Sequence, residues 1–162
     1  PSPALQEARE AARADQWEVL SNGTTALLAF LTRTMQASSV VTIGTDAGVS
    51  ALALLEGMSD HGVLTSIDPD AERQAAARKV LSLARIRSNQ VRLITGTPLD
   101  VLPKLRDGAY DMVLINGDRL EYVEYVSQAL RLLRTGGIVV VNDALANNHV
   151  ADPDNELSLI HI

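Results

Sequence analysis

Apolar residues along this chain recur with two different spacings. From residue 40 onward, short aliphatic runs alternate with longer stretches in which apolar side chains return every three or four positions. A short aliphatic run bounded by turn residues is typical of a buried strand, and the three-to-four spacing predicts an amphipathic helix. Strands are therefore expected at 40–44, 62–68, 90–95, 110–116 and 138–141, with helices at 49–58, 70–86, 99–105 and 120–134.

The alternation of these elements predicts an α/β fold. Two of the strands are almost entirely aliphatic, which is typical of a parallel sheet with helices on both faces. Before the sheet, good helix formers predict helices over 4–20 and 24–36. Gly136-Gly137 is expected to cap the last helix and open the last strand. One domain is expected over 1–156, with N-terminal helices over 1–36 and a core over 40–143.

The helical spacing also predicts which side chains face the core. In the helix over 24–36, the inward residues are Leu27, Leu28, Leu31 and Met35. In the helix over 70–86, they are Ala75, Ala76, Val80, Leu83 and Ala84. In the helix over 120–134, they are Val123, Val126, Leu130 and Leu133.

Composition excludes several classes of protein. The net charge of −6 argues against nucleic acid as the main partner, because neutralising phosphates requires clustered Lys and Arg. No apolar run approaches the ~20 residues of a membrane span, and no signal peptide is visible. We therefore expect a cytoplasmic protein with no membrane partner. The absence of cysteine excludes disulfides and thiolate metal sites. Leu157–Ile162 resembles a translated adapter sequence and is expected to be a non-native tail.

The segment from Val40 to Ser50 predicts a ligand-binding turn. It is an aliphatic strand that ends in Gly44-Thr45-Asp46-Ala47-Gly48 and continues into a helix. Glycines allow close approach of a ligand, and a helix N-terminus presents free N–H groups. Asp68 ends the next strand, where its carboxylate can accept two hydrogen bonds from a ribose diol. The alternative role for Asp68 is to cap the following helix, but Asp70 is better placed for that.

Asp46 narrows the class of ligand. A dinucleotide-binding turn has the spacing G-x-G-x-x-G, whereas Gly44 and Gly48 are separated by three residues. An acidic residue in the turn would repel a pyrophosphate, which makes a dehydrogenase a distant third possibility. A ligand with a positive centre and no phosphate fits better. S-adenosylmethionine is such a ligand, and Ser50 could donate a hydrogen bond to its carboxylate.

Five segments in this order resemble the class I S-adenosylmethionine-dependent methyltransferases, and more narrowly the bacterial catechol-type O-methyltransferases. The segments are 43–52, 64–70, 93–98, 110–116 and 132–137. The resemblance implies a Rossmann-like doubly wound sheet with strand order 3-2-1-4-5, from which a last helix and two strands of the family fold are missing. It also implies a cofactor site formed by Gly44, Thr45, Asp46, Gly48, Ser50, Asp68, Gly96, Thr97 and Asn116.

The resemblance also shows where this chain departs from the family. Catechol-type enzymes bind a divalent metal such as Mg²⁺ with an Asp after the fourth strand and an Asp-Asn pair after the fifth. This chain has Asn116 at the first position and Asn142-Asp143, the pair in reverse order, at the second. Because an amide replaces a carboxylate, we expect the metal site to be lost or weakened. Arg119 stands near a position often held by Lys and is a poor general base.

The resemblance predicts an O-methyltransferase that acts on a small hydroxylated acceptor without the usual metal. Asp118, Asp143 and His149 are the candidates for a general base, and the residues do not choose among them. The alternative function is a catalytically inactive S-adenosylmethionine-binding interaction protein. Relatives in the family are usually homodimers, so the full-length parent is expected to dimerise. The 162-residue chain alone is expected to be inactive and to self-associate through the edge strand 137–141.

Overall fold

A five-stranded parallel sheet forms the centre of the computed structural model, which describes residues 1–145. The strands are β1 (Ser39–Ile43), β2 (Val63–Asp68), β3 (Val91–Thr95), β4 (Tyr110–Ile115) and β5 (Leu133–Val141). Their order is β3-β2-β1-β4-β5, and every neighbouring pair is parallel. The predicted α/β fold with strand order 3-2-1-4-5 is confirmed. The chain direction across the sheet reverses between β1 and β4, so a crevice opens at the carboxyl ends of these strands.

Helices cover both faces of the sheet. They are α1 (Pro3–Ala14), α2 (Asn22–Thr34), α3 (Val49–Gly57), α4 (Ala71–Leu83), α5 (Pro98–Val101) and α6 (Tyr122–Leu132). Short 3-10 turns occupy Asp46–Gly48, Leu102–Lys104 and Arg119–Glu121. The predicted cap at Asp70 is confirmed, because its carboxylate accepts the N–H groups of Glu72 at 2.9 Å and Arg73 at 3.3 Å. In the part of the chain that the structure describes, no helix is long and apolar enough to cross a membrane.

Two apolar cores lie on opposite faces of the sheet. The core under α1 to α4 includes Leu28, Val40, Leu54, Leu64 and Leu114. The core under α6 and the α5 region includes Ile43, Ile67, Leu102, Tyr125 and Leu132. Alternate residues of β1 belong to different cores, because successive side chains of a strand point to opposite faces. The central strands are thus fully buried, and their carboxyl ends are held in fixed positions.

The first helix ends earlier than the sequence predicts. α1 stops at Ala14, and residues 17–20 are not helical. Gln16 has a φ of 59°, and the N–H groups of Gln16 and Trp17 donate to the carbonyls of Arg13 and Ala12. Such left-handed closure satisfies the last carbonyls of a helix and turns the chain away. The prediction of helix over 4–20 is therefore wrong beyond Ala14.

Three helices bury a face that matches the predicted one only in part. The predicted residues that do pack, partly buried, against the cores are Leu31, Met35, Val80, Ala84, Val126 and Leu133. In α6 the buried residues are Tyr122, Tyr125, Ala129 and Leu132, whereas Leu130 is 67% exposed. In α4 the buried residues are Gln74, Ala77 and Leu81, whereas Leu83 is 68% exposed. In α2, Leu28 is buried as predicted but Leu27 is exposed. Apolar residues occur on several sides of these helices, so their spacing alone did not determine the rotation of each helix against the sheet.

The last strand starts five residues earlier than predicted. Leu133 is already extended and pairs with Tyr110, and Ile138 pairs with Met112. Residues 134–137 therefore bulge out opposite a single residue of β4, and Gly136 within them has a φ of 83°. Gly136-Gly137 lies inside β5 and does not cap α6, so that prediction is wrong.

Candidate functional site

The turn after β1 is built by glycines that allow protein backbone to pack closely. Gly44 has a φ of 92°, and a Cβ there would lie 2.8 Å from the carbonyl carbon of Asn116 and overlap its oxygen. Gly48 has a φ of 93°, and a Cβ there would lie 3.1 Å from a methyl group of Val80 on α4. Both positions favour glycine for φ and for space. The missing side chain at Gly44 thus makes room for the backbone of Asn116, and the one at Gly48 makes room for α4.

Buried polar groups hold this turn from inside. The N–H of Thr45 donates to Asp68 Oδ2 at 2.8 Å, and its hydroxyl donates to Gln74 Oε1 at 2.8 Å. Gln74 in turn donates to the carbonyl of Ile94 at 2.9 Å, and Ser66 Oγ lies 3.0 Å from the Thr45 hydroxyl. The hydroxyl of Ser50 is fully buried and donates to the carbonyl of Thr45 at 3.3 Å. These bonds connect β1, β2, β3 and α4 beneath the turn.

A polar cavity of about 440 Å³ opens at the carboxyl ends of β1, β2 and β4. Four of the predicted cofactor residues line it: Gly44, Asp46, Asp68 and Asn116. Thr45, Gly48 and Ser50 are buried and do not line the cavity. Gly96 and Thr97 also lie outside its lining, although the N–H of Gly96 donates to the carbonyl of Asp68 at 3.0 Å. The cavity thus brings together the first, second and fourth strand ends.

Asp68 is oriented by two backbone donors. Its Oδ2 accepts the N–H of Thr45 and its Oδ1 accepts the N–H of Asp70, both at 2.8 Å. The residue is only 6% exposed, yet it lines the cavity. An ionised carboxylate has about four acceptor positions. Each oxygen can therefore accept a further hydrogen bond from a pair of hydroxyls in the cavity.

Asp46 is a buried carboxylate on the cavity wall. It is 5% exposed, and burial raises its pKa from 3.8 to about 7. The N–H groups of Leu20 and Ser50 and the charges of Arg9 and Arg73 pull the pKa of Asp46 back down in part. Both carboxylate oxygens lie 3.3 Å from the Leu20 nitrogen. The Asp46 carboxyl is therefore partly protonated near neutral pH, and a positive charge placed beside it would favour its ionised form.

The residues between α1 and α2 form one side of the cavity, which the sequence did not predict. Glu18, Val19, Leu20 and Ser21 line it. Arg9 on α1 donates to the carbonyl of Leu20 and, at 2.9 Å, to the hydroxyl of Thr25. The Arg73 guanidinium lies 5.8 Å from the Trp17 ring centroid, a distance typical of a cation–π contact. Once α1 ends at Ala14, these contacts hold residues 17–21 against the cavity.

The opposite side of the cavity carries the residues expected at a metal site. Asn142 Nδ2 donates to Asn116 Oδ1 at 2.9 Å, and the Arg119 guanidinium forms an ion pair with Asp143. The Tyr122 hydroxyl donates to the carbonyl of Asn142 at 2.8 Å, and burial raises its pKa. Asp118 is exposed and accepts the N–H of Leu120 at 3.0 Å, so it caps the turn that carries Arg119. The third base candidate, His149, lies outside the described residues.

These side chains do not fit a divalent cation. Two of the three expected ligand positions are amides that bond each other, and the third is a carboxylate paired with a guanidinium. Hard cations such as Mg²⁺ favour carboxylate and water oxygens, and a cation here would have to compete with Arg119. Within residues 1–145, no group of three or more His, Asp or Glu side chains could hold a metal ion.

Comparison with known proteins identifies the family of this chain. A family model described as O-methyltransferase matches residues 2–161. A Mycobacterium tuberculosis protein named "Probable O-methyltransferase" is 42% identical over 128 residues, which cover 79% of this chain and 57% of that protein. The chain thus spans little more than half the length of this curated relative.

Solved structures share the fold. The O-methyltransferase TomG from Streptomyces achromogenes, involved in tomaymycin synthesis and solved in complex with SAM, has a TM-score of 0.90 at 30% identity, covering 99% of this chain and 74% of that chain. A cofactor-bound protein from M. tuberculosis has a TM-score of 0.89 at 28% identity, with coverages of 99% and 74%. The likeness therefore extends through the N-terminal helices as well as the sheet.

Proposed function

Since this chain belongs to the O-methyltransferase family, we propose that its cavity binds S-adenosylmethionine and that the whole protein methylates a small hydroxylated acceptor. The TomG structure with SAM supports the choice of cofactor. The observation that carries the proposal is the Asp68 carboxylate, which is buried at the end of β2 and oriented by two backbone N–H groups. The activity is proposed for the whole protein, because the chain spans 57% of its mycobacterial relative.

The residues of the cavity have distinct proposed roles. Asp68 would accept hydrogen bonds from the two ribose hydroxyls. Asp46 would face the positive end of the cofactor, where a carboxylate is favourable. Asn116 and Gly44 would contact the cofactor from the carboxyl ends of β4 and β1. Gly96 and Thr97 would lie along the adenine, and the buried Thr45, Gly48 and Ser50 would hold the turn in its conformation.

Methyl transfer requires alignment above all. When bound, S-adenosylmethionine supplies an electrophilic methyl carbon on a sulfonium sulfur. An acceptor oxygen held in line with the carbon–sulfur bond needs no covalent intermediate, so positioning accounts for much of the rate. A cavity closed by residues 18–21 on one side and by Asn116 and Asn142 on the other would hold the two reactants together. Asp118 and Asp143 remain candidates for the general base.

Calorimetry tests the proposed cofactor site. S-adenosylhomocysteine should bind the protein, and Asp68→Ala should weaken that binding by about 30-fold or more, because two hydrogen bonds to a charged acceptor are lost. Asp60→Ala is the matched control, since Asp60 is an exposed carboxylate near the start of β2, at the other end of the strand from the cavity. Unchanged affinity in Asp68→Ala would disprove the ribose assignment.

Size-exclusion chromatography with light scattering measures the oligomeric state of the whole protein, which we predict to be a homodimer. The exposed Leu27 and Phe30 on α2 support the N-terminal helices as the dimer contact.

A further inference from the structure

Arg119 brings a fixed positive charge to the wall of the cavity. It stands in the 3-10 turn that follows β4, and Asp118 caps that turn through the N–H of Leu120. Its side chain is 38% exposed and lines the cavity together with Asn116, Asn142 and Asp143. The register of β4 and β5, with Ile115 opposite Val141, places the residues after the two strands side by side. The charge is therefore positioned by the sheet.

Asp143 forms an ion pair with the Arg119 guanidinium that leaves other N–H groups of the guanidinium for a second ligand. The ion pair joins Arg119 Nη2 to Asp143 Oδ2. A guanidinium has five N–H donors in a planar fork. The Tyr122 hydroxyl donates to the carbonyl of Asn142 and so fixes the backbone next to Asp143. A second oxygen ligand can thus bind Arg119 while the ion pair is kept.

The amides at Asn116 and Asn142 add no negative charge beside Arg119. In a catechol-type site, a cation held by carboxylates would bind both hydroxyls of the acceptor. Here a guanidinium paired with one carboxylate stands beside two amides, and the residues do not fit a divalent cation. Arg119 can thus present N–H donors to the acceptor without a metal. The lining of the same cavity also includes Glu18, Asp46 and Asp68.

We propose that the Arg119 guanidinium binds the reacting oxygen of the acceptor and that the acceptor is a phenol or similarly acidic hydroxyl, for which a second, vicinal hydroxyl is not needed. This rests on the proposed function, since it assigns the acceptor side of the same cavity. A guanidinium donates hydrogen bonds and accepts none, so Arg119 favours the ionised acceptor. The acceptor's proton passes to the general base or to water before the attack.

The resulting step balances without a metal. The acceptor oxyanion attacks the methyl carbon, a carbon–oxygen bond forms, and the carbon–sulfur bond breaks with its electron pair passing to sulfur. The products are a methyl ether and the neutral thioether S-adenosylhomocysteine. Arg119 acts by donating hydrogen bonds to the oxygen before and during the attack, and Asp143 is a positioning residue that orients the guanidinium.

Binding of 4-nitrophenol in the presence of saturating S-adenosylhomocysteine tests the proposal, because its ionised form absorbs visible light. The full chain should bind the ionised form preferentially. Arg119→Gln should weaken binding by about tenfold or more and abolish the preference for the ionised form, and Arg119→Lys should restore part of both. The matched control is Arg134→Gln, which breaks another arginine–aspartate pair, 41% exposed at Arg134, at the far end of β4.

Two further measurements separate the possible failures. Mg²⁺ and EDTA should change the affinity for 4-nitrophenol and for 4-nitrocatechol by less than about twofold. Tightening of 4-nitrocatechol by Mg²⁺ of about tenfold would overturn the proposal, as would equal binding of 4-nitrophenol by Arg119→Gln and the unmodified chain. If Arg119→Gln binds 4-nitrophenol as the unmodified chain does and also binds S-adenosylhomocysteine normally, only the role of Arg119 is disproved. No binding of S-adenosylhomocysteine to the unmodified chain would overturn the proposed function as well.

Discussion

Asp46 shows how a buried carboxylate can lower the stability of the ligand-free protein. Its carboxylate is buried with a pKa of about 7, against 3.8 for an ordinary aspartate. Between those two pH values the folded chain holds a proton that the unfolded chain has lost. The free energy of unfolding therefore falls as pH rises from about 4 towards 7. Above pH 7 it is about 4 kcal/mol lower than it would be with an ordinary aspartate pKa. A positively charged ligand in the cavity would offset this cost.

Asp46→Asn should therefore stabilise the ligand-free protein at pH 8, by up to about 4 kcal/mol, and should have little effect near pH 4. The same variant should bind S-adenosylmethionine less tightly, and the affinity of the unmodified chain should rise between pH 6 and pH 8. Urea denaturation and calorimetry at each pH measure both effects. Asp60→Asn, an exposed carboxylate, is the control. Equal stability of the variant and the unmodified chain at pH 8 would contradict the buried-charge explanation.

At the residue scale, the sequence predicted the residues that line the cavity better than the buried residues that hold them in place. Gly44, Asp46, Asp68 and Asn116 line the cavity as a group because they follow strand ends, which the aliphatic runs identify. Gln74 was not predicted, since a glutamine in a helix gives no sign that its turn faces a buried threonine. Arg9 was not predicted either, because its partners at Leu20 and Thr25 depend on where α1 ends.

At the scale of elements, the end of β1 depends on the end of β4. Gly44 lies against the backbone of Asn116, the first residue after β4, and the N–H of Asn116 donates to the carbonyl of Ile43 at 2.8 Å. A side chain at residue 44 would push these two strand ends apart. The cavity lies between them, so its shape depends on this contact.

Gly44→Ala should therefore cost about 3 kcal/mol or more of unfolding free energy, from its positive φ together with overlap against fixed backbone. Gly108→Ala is the matched variant, because Gly108 also has a positive φ but a Cβ there would meet nothing within 4 Å. It should cost only about 1 kcal/mol. Urea denaturation of the two variants gives the comparison, and similar losses would show that the contact with Asn116 is not limiting.

Elements were predictable where local pattern and tertiary packing agree. β1 to β4 fall within a residue or two of the predicted ranges, since a short aliphatic run has one stable place in a parallel sheet. The rotation of α4 and α6 was not fully predictable, because large apolar side chains also occur on their exposed sides, namely Leu83 in α4 and Val123 and Leu130 in α6. The early start of β5 was hidden by Gly136-Gly137, which is as suitable for a bulge as for a helix cap.

At the scale of the molecule, the two cores share one sheet. Loss of either core would expose one face of β1 and β4, so the described residues should unfold together. A ligand that binds only the folded state then raises the single melting temperature. The cavity lies at the sheet ends that both cores position.

S-adenosylhomocysteine at 100 times its dissociation constant should stabilise the protein by about 2.7 kcal/mol, which corresponds to roughly 5–10 °C in melting temperature. Differential scanning calorimetry measures the shift. NAD⁺ at the same concentration is the control and should leave the melting temperature unchanged, because its pyrophosphate would meet Asp46 and Asp68. A shift with NAD⁺ and none with S-adenosylhomocysteine would favour the dehydrogenase class instead.

Trp17 is the sole tryptophan of the chain, and its ring contacts the guanidinium of Arg73, a residue that lines the cavity. Indole emission depends strongly on nearby charge and on contact with water. Tryptophan fluorescence of this protein thus reports on one place, the contact of residues 17–21 with α4. The chain carries one intrinsic tryptophan fluorophore near the cavity, so a change at this place can be followed without an added label and without emission from a second tryptophan.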